Sequence, residues 1–213
     1  VEKDYWVVWT LEKLFSISEI SSHLTFKGGT SLSKIFGVIE RFSEDIDVSI
    51  EREFLGFGED KNPEKLSSKN KQKALLDDIS KASSHYIQNK LLHDLTAAIS
   101  SKLNTNEEWK VVTDPDDSQT LLFHYPSIAS KGGYIRPIVK IEMGARAEHW
   151  PVSEHKIQSY AKTALKDKIH EPEVTVRVLD AERTFWEKAT ILHQYAHLPD
   201  GKDMPARFSR HWY

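Results

Sequence analysis

The chain has no cysteine, which excludes disulfides and thiolate zinc sites and agrees with a reducing compartment. No apolar run approaches the roughly 18 to 20 residues needed to cross a bilayer, and no basic-then-apolar leader opens the sequence. A surplus of either charge is also missing: 29 Lys and Arg stand against 32 Asp and Glu, a net charge of −3. Any contact with nucleic acid therefore has to come from a local patch. There is no Gly-x-x-x-x-Gly-Lys-Ser/Thr loop, so P-loop chemistry is excluded. His193 and His197 are spaced i and i+4 but lack the adjacent Glu of a zinc protease, and His149, His155 and His211 add no compact ligand spacing. Repeats and long low-complexity tracts are absent. What remains is a globular composition, 39% hydrophobic and 29% charged, with six Trp and seven Tyr in 213 residues. That length supports one cored domain, with or without a helical extension, and a cytoplasmic location is expected.

Two stretches organise the rest. The first is Lys27-Gly28-Gly29-Thr30-Ser31-Leu32, where two residues without Cβ allow positive φ and a close approach to a ligand just as a helix begins. Helix starts attract anions through free N–H groups, and Thr30 or Ser31 is placed to cap the helix or to donate to a phosphate. The second, about fifteen residues later, is Arg41-Phe42-Ser43-Glu44-Asp45-Ile46-Asp47-Val48-Ser49-Ile50. Strand alternation puts Ile46, Val48 and Ile50 on one face and Asp45, Asp47 and Ser49 on the other. Two carboxylates roughly 6 to 7 Å apart at Cα repel unless a cation lies between them, and hard oxygen donors suit Mg²⁺. Alone, a Gly-Gly-Thr is usually an ordinary turn and an Asp-x-Asp usually a solvated strand face. Their order and separation together point to phosphate and metal chemistry.

Around this pair the chain reads as a mixed α/β domain. Tyr5, Val8, Trp9, Leu11 and Phe15 give residues 4–15 a helical period, with Lys3, Glu12 and Lys13 left for solvent. Residues 23–26 form a short strand and residues 31–36 a helix that Gly37 ends. Residues 51–63 are a loop, and residues 64–103 are mostly helical, with apolar side chains recurring at three and four. Lys65, Lys69, Lys71, Lys73 and Lys81 make the start of this helical stretch basic, either as a solvated face or as an RNA-facing patch. Strands follow at 109–112, 120–125 and 134–143, with Lys131-Gly132-Gly133 as a hairpin turn. In the last of these strands Lys140 and Glu142 share the face opposite Val139, Ile141 and Met143. Residues 154–166 look helical, residues 173–179 look like a strand, and Asp180 is placed to cap a helix running to Ala196. On that helix Phe185, Ala189, Leu192 and Ala196 form the predicted buried stripe. Lys188 lies about 70° from its centre, on the rim, where a long stem packs and its ammonium reaches a cleft.

The Gly-Gly-Thr-Ser turn followed by Arg-Phe-Ser-Glu-Asp-Ile-Asp resembles the nucleotidyltransferases of the DNA polymerase β type, and more narrowly the AbiEii/AbiGii toxins of bacterial type IV toxin-antitoxin and abortive-infection systems. Glu2-Lys3-Asp4-Tyr5, Arg183-Thr184-Phe185-Trp186-Glu187-Lys188 and the terminal Arg207-Phe208-Ser209-Arg210-His211-Trp212-Tyr213 are similar to that family too, so the resemblance covers nearly the whole chain. It implies one nucleotidyltransferase domain over residues 1–213, a mixed twisted sheet covered by helices, with a helical insertion at about 62–103. It also implies a C-terminal helical part from about 180 that continues past Tyr213.

By resemblance, Asp45 and Asp47 hold two Mg²⁺ ions and Glu142 is the third metal carboxylate; the plainer reading of Glu142 is a surface pair with Lys140. Gly28, Gly29, Thr30, Ser31 and Ser43 are the candidate nucleotide-binding residues. Lys188 is a candidate binder of the nucleotide's phosphates and a catalytic residue. The implied reaction moves a nucleoside monophosphate from an NTP to an acceptor hydroxyl, with RNA, particularly a tRNA 3′ end, as the acceptor and a separate antitoxin as control. Protein hydroxyls are a further acceptor class. The rival reading is a non-catalytic nucleotide-binding module that sequesters a partner.

Overall fold

A computed structural model of the chain describes residues 1–40, 42–103, 108–128, 136–145, 150–165, 168 and 173–199. The Lys131-Gly132-Gly133 turn, Arg41, Tyr134, Ile135, His149 and the terminal segment with His211 lie outside the described residues. Among the described residues, seven strands form one mixed sheet in the order β3-β4-β5-β2-β1-β7-β6. They are β1 (Leu24–Lys27), β2 (Asp45–Ile50), β3 (Lys110–Asp114), β4 (Asp117–His124), β5 (Ile138–Gly144), β6 (Val152–Ile157) and β7 (Val174–Leu179). The β1/β7 and β2/β5 pairs are parallel and the others antiparallel, which is the mixed twisted sheet the sequence predicts.

One face of this sheet is the core. Ile46, Val48, Ile50, Phe26, Val139, Ile141, Val176 and Val178 are all buried. Helix α1 (Glu2–Phe15) crosses this face over β7, β5 and β2 and buries Val7, Val8, Leu11 and Leu14. Two residues assigned to solvent are buried instead: Lys3 reaches Glu44 at 2.6 Å, and Lys13 lies 4.9 Å from the Trp9 ring centroid. A charged partner and a π face each replace the water that a long cationic side chain loses on burial.

The helical stretch divides into α3 (Lys69–Tyr86), a π-helical turn (Ile87–Leu91) and α4 (Leu92–Ser100). Its buried positions, Ile79, Ser83, Ile87, Leu91, Leu95 and Ile99, recur strictly every four residues. Each such step overshoots the 3.6-residue repeat by about 40°. The wider π turn takes back part of that drift and keeps the row facing the sheet.

Of the helix predicted over residues 154–166, residues 160–165 are helical, as α5 (Tyr160–Leu165), and residues 154–157 are strand, as most of β6. β6 is an edge strand in which only Ile157 is buried, so polar side chains on both faces hide its period of two.

Candidate active site

Strand β2 builds the site. Register places Asp47 between Lys27 of β1 and Glu142 of β5, and Asp45 beside Lys140 of β5, so all five side chains project from the same sheet face, opposite the core. Lys27 is the residue that sequence reading passed over. Only the pairing of β1 with β2 brings it beside Asp47, and no spacing within either segment signals it.

The glycine turn meets this strand directly. Gly28 has φ of +79°, and a Cβ there would lie 2.0 Å from Asp47 Oδ2, so the carboxylate rests against the bare Cα of the turn. Gly29 does not take a positive φ and continues helix α2 (Gly28–Lys34), whose N-cap is Lys27. Thr30 and Ser31 therefore do not cap this helix. Both are fully buried: Thr30 Oγ1 donates to the Asp45 carbonyl and Ser31 Oγ donates to the Gly28 carbonyl at 2.9 Å. The Thr30 hydroxyl ties the turn to the acid strand, and the Ser31 hydroxyl closes a bond within the turn. Ser43 is half-buried two residues before β2.

The first turn of α1 braces both halves of this assembly. Lys3 is paired with Glu44, the neighbour of Asp45. Asp4 is paired with Lys34 at the end of α2; the two side chains are 1% and 2% exposed, and Asp4 also accepts from the Tyr160 N–H at 2.6 Å. The Glu2-Lys3-Asp4-Tyr5 resemblance thus has a physical content, two ion pairs that fix acids and turn to one helix.

Electrostatics concentrate on Asp47. Burial pushes its carboxyl up to about 7, and the charges of Glu142 and Asp45 add to the effect, while Lys27 and Lys188 oppose it. Glu142 is held by Lys140 at 2.8 Å, with Asp114 4.0 Å from the same ammonium. Burial works against the Lys140 charge, but the hydrogen bond and charge of Glu142, then Asp114 and Asp45, keep its pKa above the usual lysine value. Among the described residues no three His, Asp or Glu side chains are gathered around one point as a formed metal cage. The donor set nevertheless fits a hard divalent cation: carboxylates on one face, one of them resisting ionisation because it is buried beside two others.

The late helix α6 (Ala181–Ala196) closes the site with a face that keeps only part of the predicted stripe: Ala189 and Leu192 are partly buried, while Phe185 and Ala196 are exposed. Phe185 and Trp186 are 59% and 58% exposed, whereas Thr184 is buried and Arg183, Glu187, Lys188 and Ile191 are partly buried. Asp180 sits at the N-cap without capping; it accepts from Ser153 Oγ at 2.8 Å instead. Glu187 reaches Lys27 at 3.4 Å and Arg183 at 3.9 Å. With Lys188 acting on Asp47, α6 delivers charges of both signs to the acids and the turn. No helix among the described residues is long and apolar enough to cross a membrane.

Among solved structures, the chain is similar to MenT4, a nucleotidyltransferase toxin of Mycobacterium tuberculosis H37Rv, with 16% identity and a TM-score of 0.45. The alignment covers 93% of this chain and 60% of that one, so the chain spans about three fifths of that protein's length. No curated protein sequence matches significantly. The profile described as nucleotidyl transferase AbiEii toxin, type IV toxin-antitoxin system, matches residues 9–213, which take in the glycine turn, the acid strand and α6, and the chain belongs to that family.

Proposed function

We propose that this chain transfers a nucleoside monophosphate from an NTP to an acceptor hydroxyl, in a metal-dependent reaction that releases pyrophosphate. The observation that carries the reading is Asp47, pressed against Gly28, crowded by Asp45 and Glu142, and faced by Lys27 and Lys188. Asp45 and Asp47 would hold Mg²⁺, with Glu142 as a further ligand once it leaves Lys140. Bound there, the metal supplies Lewis-acid chemistry that acidifies the attacking hydroxyl and neutralises triphosphate charge. The chain's own residues do the positioning. The Gly28–Gly29 backbone lets phosphate oxygens approach, while Lys27 and Lys188 put two ammonium groups where charge builds as the hydroxyl oxygen bonds to the α-phosphorus and pyrophosphate leaves.

The acceptor in this reading is RNA, with a tRNA 3′ end as the specific candidate and growth arrest as the outcome; membership of a type IV toxin-antitoxin family supports a cognate antitoxin as the protein partner. Incubation with each labelled NTP, Mg²⁺ and either total RNA or total protein tests this. Label in RNA that is lost in Asp45→Ala and Asp47→Ala supports the enzyme. Label in protein reassigns the acceptor, and tight NTP binding without transfer replaces the enzyme with a sequestering module.

A further inference from the structure

The sheet face that carries Asp45 and Asp47 also carries a second concavity. Glu51 continues β2 past Ile50, its N–H donating to the His23 carbonyl, and lies on the Asp47 side four residues on, about 13 Å along the strand. Arg177 of β7 and Val152 of β6 share that face by register. Together with parts of the 52–62 segment and Trp150 they line a cavity of about 510 Å³, the size of a small-molecule site.

Its polar walls are built rather than loose. Arg177 donates from Nε to the Leu24 carbonyl at 3.1 Å and from Nη2 to Glu51 at 2.6 Å, and Glu51 is also bound by His23 at 2.7 Å. Arg52 Nε is fixed on the Ala145 carbonyl at 3.1 Å. Three acids, Glu51, Glu53 and Glu59, balance Arg52, Lys61 and Arg177, so a triphosphate finds no net attraction here. Two aromatic side chains complete the lining: Phe57, half-buried, and Trp150, 77% exposed. Between cavity and acids, the position in register with Ser49 is Gly144, and among the described residues a Cβ there would touch nothing within 4 Å.

We propose that this cavity receives an unpaired nucleobase of the acceptor RNA, a few nucleotides from the reacting hydroxyl. A neutral, planar ring edged with donors and acceptors suits aromatic walls and fixed groups of both kinds, and single-stranded RNA is gripped by such stacking. This rests on RNA being the acceptor.

The test uses the whole chain and a ten-nucleotide RNA carrying 4-thiouridine near its 3′ end. Photo-crosslinking followed by peptide mass mapping is expected to place adducts on Trp150 or the 52–62 segment. In transfer assays Trp150→Ala raises KM for RNA about five- to tenfold, the effect of losing one base stack, with KM for NTP unchanged, and Trp150→Phe restores it. If wild-type protein labels RNA but the adducts lie elsewhere and Trp150→Ala leaves KM for RNA within about twofold, the cavity assignment is overturned and the transferase reading stands. If wild-type protein neither labels nor crosslinks RNA, the acceptor reading fails and the assignment with it.

Discussion

Replacing Asp47 by Asn should make the metal-free protein more stable at neutral and alkaline pH. The carboxyl of Asp47 ionises near 3.8 in an unfolded chain but only at about 7 in the fold, mainly because burial removes its water and then because Glu142 and Asp45 repel its charge. Below about pH 4 both states are protonated and the group contributes nothing. Between there and about pH 7 the unfolded chain loses a proton that the folded one keeps, so stability falls as pH climbs, and above that the penalty is constant. Moving from 3.8 to about 7 corresponds to about 4 kcal/mol, reduced to about 2 to 4 kcal/mol by the solvent that still reaches this half-buried group. Urea unfolding followed by tryptophan fluorescence from pH 4 to pH 8 measures it. Asp47→Asn should match wild type at pH 4 and exceed it by that amount at pH 8. Millimolar Mg²⁺ should close the gap by stabilising wild type alone, by about 2.7 kcal/mol at a hundred times its Kd. Parallel stability curves for the two proteins across this range would refute the crowding of carboxylates on which the site depends.

Gly28→Ala should destabilise the fold on the order of 2 kcal/mol and abolish nucleotide transfer, because the position holds a positive φ that a Cβ disfavours and that Cβ would need the space held by Asp47; urea midpoints and labelled-NTP transfer report the two effects. Asp4→Ala leaves the Lys34 ammonium buried without its partner and should cost about 3 to 5 kcal/mol in urea unfolding, much of it recovered in Asp4→Leu/Lys34→Met. Lys188→Met should slow transfer roughly 10²- to 10³-fold, as loss of one charge-stabilising donor does, with little change in thermal midpoint, since the side chain packs at a rim.

The acid strand and the glycine turn are legible in the sequence because each rests on a local rule: strand parity for Asp45 and Asp47, and the missing Cβ for Gly28. Their meeting is not written in either segment; it comes from β1 and β2 pairing so that Lys27 faces Asp47. The same limit explains the other misreadings. Lys3 looks like a solvent residue until Glu44, 41 positions away, folds against it. The stripe on α6 holds only at Ala189 and Leu192, which are partly buried, because Phe185 stays exposed while Glu187 pairs with Lys27 and Lys188 acts on Asp47. Polar atoms drawn to a charged site outrank apolar periodicity there, which is where local consistency is expected to break.

The π turn at Ile87–Leu91 gives the long helical rod one residue more than a regular coil of equal rise requires. Deleting a single position there would rotate everything beyond it, carrying Leu95 and Ile99 away from the strands they seal. Length tolerance is thus reversed relative to a surface loop: this segment accepts exchanged side chains more readily than a changed count, and its spacing acts as a gauge for how the second half of the helix meets the sheet.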